Sequence, residues 1–226
     1  MNSTIIAPTT TGGISLTKLL LVCGILSSVL YVAMCIYVPL EFPGYNSATQ
    51  TISELSAINA PTRTLWVVPG IVYTLLMTAF GWGVFRSTRT NRRVRLVGIL
   101  LMIYGVIGLG WPLAPMHLRH ELAAGGGTGS DTMHIVFSMI SVILMMLAIG
   151  FCASAFGKRF RIYSISTLVL LIVPGIITAI AAPKLEANLP TPLLGIWERF
   201  MIGVFLVWVV VLALTRLRAL MNSESN

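Results

Sequence analysis

Six long apolar stretches dominate the pattern of hydrophobic and polar positions along this chain. Each is about 20 residues or longer, which is the length that a helix needs to cross the hydrocarbon core of a bilayer. None shows the alternation with a period of two that the strands of a membrane barrel require. The pattern therefore predicts an all-α polytopic membrane helix bundle with six transmembrane helices. The predicted spans lie near residues 16–40, 64–85, 96–115, 132–156, 162–182 and 195–215.

These six spans use most of the 226 residues, so residues 1–226 are predicted to form a single membrane domain. The longest connector, residues 41–63, is too short for a separate soluble domain. Composition agrees with this assignment, because 56% of the residues are hydrophobic, 10% are charged and the mean hydropathy is +0.90. Soluble domains carry about 25% charged residues. Lipid is thus the main solvent of this chain.

The basic residues predict the orientation of the bundle. Eleven of the fifteen Lys and Arg residues lie at the very start of span 1 (Lys18), after spans 2 and 4, or in the tail, and such residues stay in the cytoplasm. Both termini are therefore expected in the cytoplasm, and the protein in the cell membrane. All three histidines and six of the seven acidic residues lie at or near the opposite face. Membrane lipids are the expected partners, and nucleic acid is excluded because no separate folded surface presents the basic residues.

The first outer connector is predicted to contain a short interfacial helix over part of residues 45–57. Thr51 and Glu54 have the spacing of a capping box, and apolar residues follow at three-residue intervals. Pro61 then ends the segment before span 2. Two interpretations stay open. The segment is either a lid that satisfies backbone groups between the spans, or it places Ser53 and Glu54 at the mouth of a polar site.

The second outer connector carries the candidate metal ligands. His117 and His120 are three residues apart, as are Asp131 and His134 at the start of span 4. Three imidazoles and one carboxylate would close a tetrahedral zinc site, or leave a position for an activated water with Glu121 as the base. The alternative is structural, because Asp131 also suits the N-cap of span 4.

Glu198 and Arg199 lie about one turn inside span 6, where charged residues are costly unless each finds a partner. Adjacent residues on a helix point in different directions, so the two are not expected to pair with each other. They belong either to a buried network that fixes the helix packing or to a substrate site. We expect Arg199 to pair with Asp131 or Glu54, and Glu198 to pair with His134, His117 or Arg119.

The tryptophans support the predicted spans. Trp66, Trp111 and Trp197 fall at the outer ends of spans 2, 3 and 6, and Trp82 falls at the inner end of span 2. Tryptophan is enriched at both interfaces of a bilayer. We therefore interpret these four as residues of the interfacial belt, with Trp208 lying deeper.

Several of these motifs together resemble one known family. They are the connector YNSATQTISELSA followed by Pro61, the proline-ended span 3, the pair of Asp131 and His134 at the head of span 4, and the sequence GIWERFMIG in span 6. In these features the whole chain is similar to the prokaryotic integral-membrane family catalogued as domain of unknown function nine hundred ninety-eight. The resemblance implies a six-span membrane protein and carries no assigned reaction.

The sequence thus indicates a multi-pass membrane protein of unassigned biochemical activity. Its outer polar cluster either binds a lipid or another amphiphile, or serves as a structural network. The alternative is a metal-dependent membrane hydrolase that acts on an outer-leaflet lipid. Transport of a small solute is less favoured, because the inner halves of the spans carry only hydroxyl groups and no acids or histidines. The candidate catalytic residues are Ser53, Glu54, Asp131, His134, Glu198 and Arg199.

Overall fold

The computed structural model describes residues 15–224. This part of the chain contains seven α-helices, three short 3₁₀ segments and no strand. The helices are α1 (Leu16–Tyr37), α2 (Arg63–Arg86), α3 (Arg92–Gly108), α4 (Arg119–Ala123), α5 (Gly129–Ala153), α6 (Lys158–Glu186) and α7 (Leu194–Glu224). The 3₁₀ segments are Val38–Glu41, Ile52–Ser56 and Trp111–Leu113.

Six of the helices in residues 15–224, all except α4, are long and apolar enough to cross a membrane. The all-α six-span prediction is confirmed, and the protein is a multi-pass membrane protein. Helix α7 extends beyond the predicted end of span 6, to Glu224. Span 3 differs in the other direction, because α3 ends at Gly108 and the chain then forms the 3₁₀ segment that contains Pro112. Proline favours the start of a helical segment and cannot continue the preceding one, which explains the break.

The six long helices form a closed ring. Each packs against the next along the chain, apart from the short α4, and α7 returns to pack against α1. Large side chains fill the interior toward the ends of α2 and α5 at Arg86 and Ala153. Close packing of these side chains stabilises the bundle through van der Waals contact and leaves that half of it closed. The side chains there that are fully buried include Leu21, Phe80, Leu101, Ile149 and Trp208.

Helices α2 and α3 approach most closely where glycines face each other. A Cβ atom on Gly81 would lie 2.8 Å from the carbonyl oxygen of Gly98, and one on Gly98 would lie 2.7 Å from the carbonyl oxygen of Gly81. Small residues at such positions allow the backbones of membrane helices to touch. The close contact brings Tyr73 of α2 to Tyr104 of α3, with their hydroxyl oxygens 3.0 Å apart.

We call the end of the bundle that holds connectors 87–91 and 154–157 the basic end. Arginine side chains join its segments by hydrogen bonds. Arg93 donates to the carbonyl oxygen of Ser154 at 2.7 Å, and Arg216 donates to the hydroxyl oxygen of Ser87 at 2.9 Å. These arginines therefore satisfy polar groups of the connectors, in addition to the topological role that the sequence predicts for them.

The opposite end, which we call the rim end, holds connectors 38–62, 109–128 and 187–193. The short helix predicted in the first of these is present as the 3₁₀ segment Ile52–Ser56. Its capping box is confirmed, because the Thr51 N–H donates to Oε2 of Glu54 at 2.7 Å. Leu55 is fully buried beside Met34 and Val38. The segment is thus packed into the end of the bundle.

Helix α4 was not predicted from the sequence. Its start is stabilised by a hydrogen bond from the Leu118 N–H to Oε2 of Glu121 at 3.2 Å. Its end comes at the glycine run, where Gly125 adopts a φ of 82°, a value that glycine reaches without steric cost. The glycines therefore turn the chain back from α4 toward α5.

Candidate functional site

A cavity of about 170 Å³ lies toward the rim end, between α1, α2, α3, α5 and α7. Aromatic rings and apolar side chains form most of its wall. The ring of Tyr31 packs edge-on against Trp66, with 5.6 Å between the centroids, and lies tilted against Tyr73, with 4.9 Å between the centroids. Tyr104 and Trp111 line the cavity as well. This part of the wall is thus largely apolar, and its polar groups are the hydroxyls of the tyrosines.

Polar side chains from the connectors and the helix ends complete the cavity. Ser53, Arg63, His134 and Glu198 all line it, and they come from four separate segments of the chain. Of the candidate residues predicted from the sequence, the structure therefore brings three to one cavity. Arg63 joins them without having been predicted as a candidate.

Ser53 and His134 form a hydrogen-bonded pair across 81 positions of sequence. Nε2 of His134 lies 3.0 Å from Oγ of Ser53, and Nδ1 of the same ring lies 2.9 Å from the carbonyl oxygen of Ala114. A carbonyl oxygen only accepts, so Nδ1 carries a proton. In the neutral imidazole Nε2 is then the acceptor, and the Ser53 hydroxyl donates to it. Trp111 packs edge-on against the imidazole at 4.7 Å and fixes the plane of the ring.

Glu198 contacts the backbone just before Ser53. Its Oε2 atom accepts a hydrogen bond of 2.6 Å from the N–H of Ile52. The partners expected for this carboxylate were His134, His117 or Arg119, and that expectation is wrong. A buried backbone N–H at the start of the 3₁₀ segment needs an acceptor, and the carboxylate of α7 supplies it.

Arg199 is held by the first connector, which corrects its predicted pairing with Asp131 or Glu54. Its Nη1 donates to the carbonyl oxygens of Ser47 and Gly195 at 2.9 and 3.1 Å, and its Nη2 donates to the Tyr45 hydroxyl at 2.7 Å. Burial raises the pKa of the Tyr45 phenol above its ordinary value. The phenol is therefore neutral, and Arg199 ties the connector to α7.

Glu54 pairs with Arg119 instead. The carboxylate is fully buried, and the guanidinium reaches it with two hydrogen bonds of 2.7 Å. Nη1 of Arg119 also donates to the hydroxyl oxygen of Thr191 at 3.1 Å. This arrangement joins all three rim-end connectors. Glu54 does not line the cavity, so its role is to hold the rim together.

The four candidate zinc ligands are not gathered into one set. Asp131 accepts hydrogen bonds from the N–H of His117 at 2.7 Å and from the N–H of Thr128 at 2.8 Å, and its Oδ2 lies 2.9 Å from Nδ1 of His117. His120 is exposed on α4, and both ring nitrogens of His134 already have partners. Within residues 15–224 no group of three or more His, Cys, Asp or Glu is placed to hold a metal ion. As they are placed, these four residues do not fit a common zinc site.

Sequence reasoning missed the aromatic wall. Trp66 and Trp111 were predicted to belong to the interfacial belt, but both line the cavity. Tyr73 and Tyr104 carried a usable signal, because phenol hydroxyls inside two neighbouring spans need partners in lipid. Arg63 was not among the predicted site residues, yet it lines the cavity, and its Nη1 donates to the carbonyl oxygen of Ser56 at 2.7 Å.

The fold and the site together define a six-span helical membrane protein with a polar-ended cavity near one face. The model of the family described as "Protein of unknown function (DUF998)" matches residues 25–215. The chain therefore belongs to this family, as its resemblance at the level of motifs suggested, and the matched range contains the whole cavity. No curated protein and no solved structure matches the chain.

Proposed function

We propose that this protein binds a lipid or a similar amphiphile in the rim-end cavity, with the rim end facing outward from the cell membrane. The observation that carries the proposal is the change in polarity from one side of the cavity to the other. Its connector side presents a hydroxyl, an imidazole, a guanidinium and a carboxylate, and its deeper wall is aromatic and apolar. An amphiphile changes from polar to apolar along its length in the same way.

The polar side of the cavity suits the headgroup of such a ligand. Glu198 uses one carboxylate oxygen for the N–H of Ile52 and is only partly buried. Arg63 is held by the carbonyl oxygens of Ser56 and Pro112 at 2.7 and 3.2 Å. One guanidinium and one carboxyl group therefore stand at fixed positions, which is how a few polar groups set the orientation of a ligand in a mainly apolar pocket.

The deeper side suits a section of hydrocarbon chain. Tyr73 and Tyr104 are joined by a single hydrogen bond between their hydroxyls, and their rings form part of the apolar wall. A dry apolar cavity of about 150 Å³ is enough to take up benzene. The volume of about 170 Å³ therefore fits a short amphiphile, or the part of a lipid chain next to its headgroup.

The orientation of the bundle decides which leaflet supplies the ligand. Eleven of the fifteen Lys and Arg residues lie at or beside the basic end, which favours that end, and both termini with it, in the cytoplasm. The rim end then faces outward. A ligand would enter the cavity from the outer leaflet.

The structural network and the ligand site are separate parts of the rim. Three contacts hold connectors and helix ends together without lining the cavity: Glu54 with Arg119, Asp131 with His117, and Arg199 with Tyr45. These contacts hold the segments around the cavity in place, and their side chains do not occupy the space proposed for the ligand. The filled half of the bundle around Phe80 and Trp208 favours binding over transport of a solute.

Photo-crosslinking in vesicles tests this proposal. The purified protein is reconstituted with a trace of lysophosphatidylcholine that carries a diazirine on its acyl chain, irradiated, digested and mapped by mass spectrometry. We expect crosslinks at wall residues such as Met34, Trp66 and Met145, and competition by excess unlabelled lysolipid. Crosslinks confined to outward-facing residues such as Val29 and Ile36, which are 61% and 66% exposed, would contradict the proposal.

A further inference from the structure

We propose that Ser53 and His134 form a nucleophile and general base that transfer the acyl group of an ester-containing amphiphile held in the cavity. The inference rests on the proposed binding of an amphiphile and adds a reaction to it. No metal takes part. The substrate class is a carboxylic ester with a hydrocarbon chain, since the pair lies where the polar side of the cavity meets its apolar wall.

The geometry of the pair matches what such a reaction needs. The distance of 3.0 Å between Oγ of Ser53 and Nε2 of His134 lies within hydrogen-bond reach of a base that removes the hydroxyl proton. A third group must orient the base, and here it is the carbonyl oxygen of Ala114 at 2.9 Å from Nδ1. The carbonyl fixes the tautomer in which Nε2 is free to accept the proton.

The hydroxyl of Ser53 has a different kind of partner from those of several other serines. The hydroxyls of Ser27, Ser87 and Ser138 donate to backbone carbonyl oxygens three or four residues earlier, which satisfies them locally. Ser53 instead donates to an imidazole from a distant helix, inside a cavity.

The residues on both sides of Ser53 are fixed by charged groups. The Ile52 N–H is held by Glu198 at 2.6 Å, and Glu54 is held by Arg119 through two hydrogen bonds of 2.7 Å. The nucleophile is thus anchored from α7 and from α4. Such support keeps a reacting group within the small tolerance that catalysis allows. Glu198 and Arg119 are positioning residues in this scheme.

The reaction proceeds in two balanced stages. Oγ of Ser53 attacks the ester carbonyl carbon and its proton passes to Nε2 of His134. The bond from that carbon to the leaving alcohol oxygen breaks, and the alcohol takes the proton from His134. Water then attacks the acyl-Ser53 ester, gives one proton to His134, and releases the carboxylic acid as Oγ takes that proton back. The sum is ester plus water to acid plus alcohol, with no redox change.

A fluorophosphonate with a long alkyl chain tests the pair, because an activated serine displaces its fluoride and stays covalently labelled. The wild-type protein in detergent is labelled and the modified residue is mapped by tandem mass spectrometry. We expect the label on Ser53. Ser53→Ala should abolish labelling, and His134→Ala should slow it about 100-fold or more, the usual contribution of a general base. Mapping in the wild type makes the test independent of how the variants fold.

The controls are a serine and a histidine outside the cavity. Ser154→Ala, at the basic end, and His120→Ala, exposed on α4, should be labelled at the wild-type rate. A folded wild type that takes up lysolipid crosslinks in the cavity but shows no label on Ser53 would overturn this inference and leave the binding proposal standing. Loss of both signals would overturn both. Retained cavity crosslinks in Ser53→Ala, with the label lost, would support both.

Discussion

Arg119 and Glu54 form a two-point ion pair across 65 positions of sequence, with Nε to Oε1 and Nη2 to Oε2 distances of 2.7 Å. The carboxylate is fully buried and also accepts from the N–H of Thr51. Breaking one partner of a buried ion pair leaves an uncompensated charge, which costs more than the pair contributes when intact. The ion pair therefore controls whether the rim end keeps its shape.

Removing the arginine should destabilise the protein strongly. Arg119→Ala is expected to lower the free energy of unfolding by about 3–5 kcal/mol, because the buried Glu54 then has no counter-charge. Titration with a denaturing detergent, followed by tryptophan fluorescence, measures the change. Arg93→Ala is the matched control, since this arginine donates to the carbonyl oxygen of Ser154 at an exposed position of the basic end. Equal free energies of unfolding for Arg119→Ala and Arg93→Ala would contradict the stabilising role of the ion pair between Arg119 and Glu54.

A second substitution separates charge from packing at the same place. Glu54→Gln, added to Arg119→Ala, should recover part of the lost stability, because a neutral amide is cheaper to bury than a carboxylate. No recovery would mean that Arg119 acts through its contacts with Thr191 and Thr49 instead.

Glu198 should matter as a hydrogen-bond acceptor for the backbone. Glu198→Gln keeps an oxygen for the Ile52 N–H and should unfold within about 1 kcal/mol of the wild type, whereas Glu198→Ala leaves that N–H without an acceptor and should lose about 1–3 kcal/mol. The same detergent titration reports both values. If Glu198→Ala were as stable as Glu198→Gln, the carboxylate would not be what fixes the segment before Ser53.

The large features of this fold are visible in the sequence, because they depend on local composition. The spans follow from apolar length, and the capping box of Glu54 follows from a spacing of three residues. The contacts that build the site do not. Ser53 and His134, or Glu54 and Arg119, meet only once the helices have packed, and no local spacing encodes a contact between residues 81 or 65 positions apart. The error for Arg199 has the same origin, since an arginine donates to backbone carbonyl oxygens as readily as to a carboxylate.

Filling the cavity from its wall should block the ligand without disturbing the bundle. Gly70 lines the cavity on α2, and a Cβ atom there would meet only Met34, at 3.9 Å. Gly70→Leu is therefore expected to place a side chain in the cavity and to reduce lysolipid crosslinking in it at least several-fold. Gly203→Leu is the control, because a Cβ at Gly203 would meet nothing within 4 Å. Equal crosslinking of the two variants would place the lysolipid elsewhere.

The orientation of the bundle is the last prediction, and it decides which leaflet the cavity serves. In a background with Cys23, Cys35 and Cys152 replaced by alanine, a single cysteine is placed at Ala124 of the rim end or at Thr90 of the basic end, both exposed positions. A membrane-impermeant maleimide should label Ala124→Cys in intact cells. It should label Thr90→Cys only after the cells are permeabilised, because an excess of Lys and Arg favours a cytoplasmic position for the basic end.

The opposite labelling pattern would mean that the bundle is inserted the other way round, with the cavity on the side of the inner leaflet. The contacts of Ser53 and His134 would be unchanged by this, since they depend only on the packing of the helices. The ligand would then come from the cytoplasmic leaflet, where anionic headgroups are enriched. Arg63 supplies the guanidinium that lines the cavity. In that orientation, Arg63→Ala should weaken crosslinking of an anionic lysolipid more than crosslinking of a zwitterionic one.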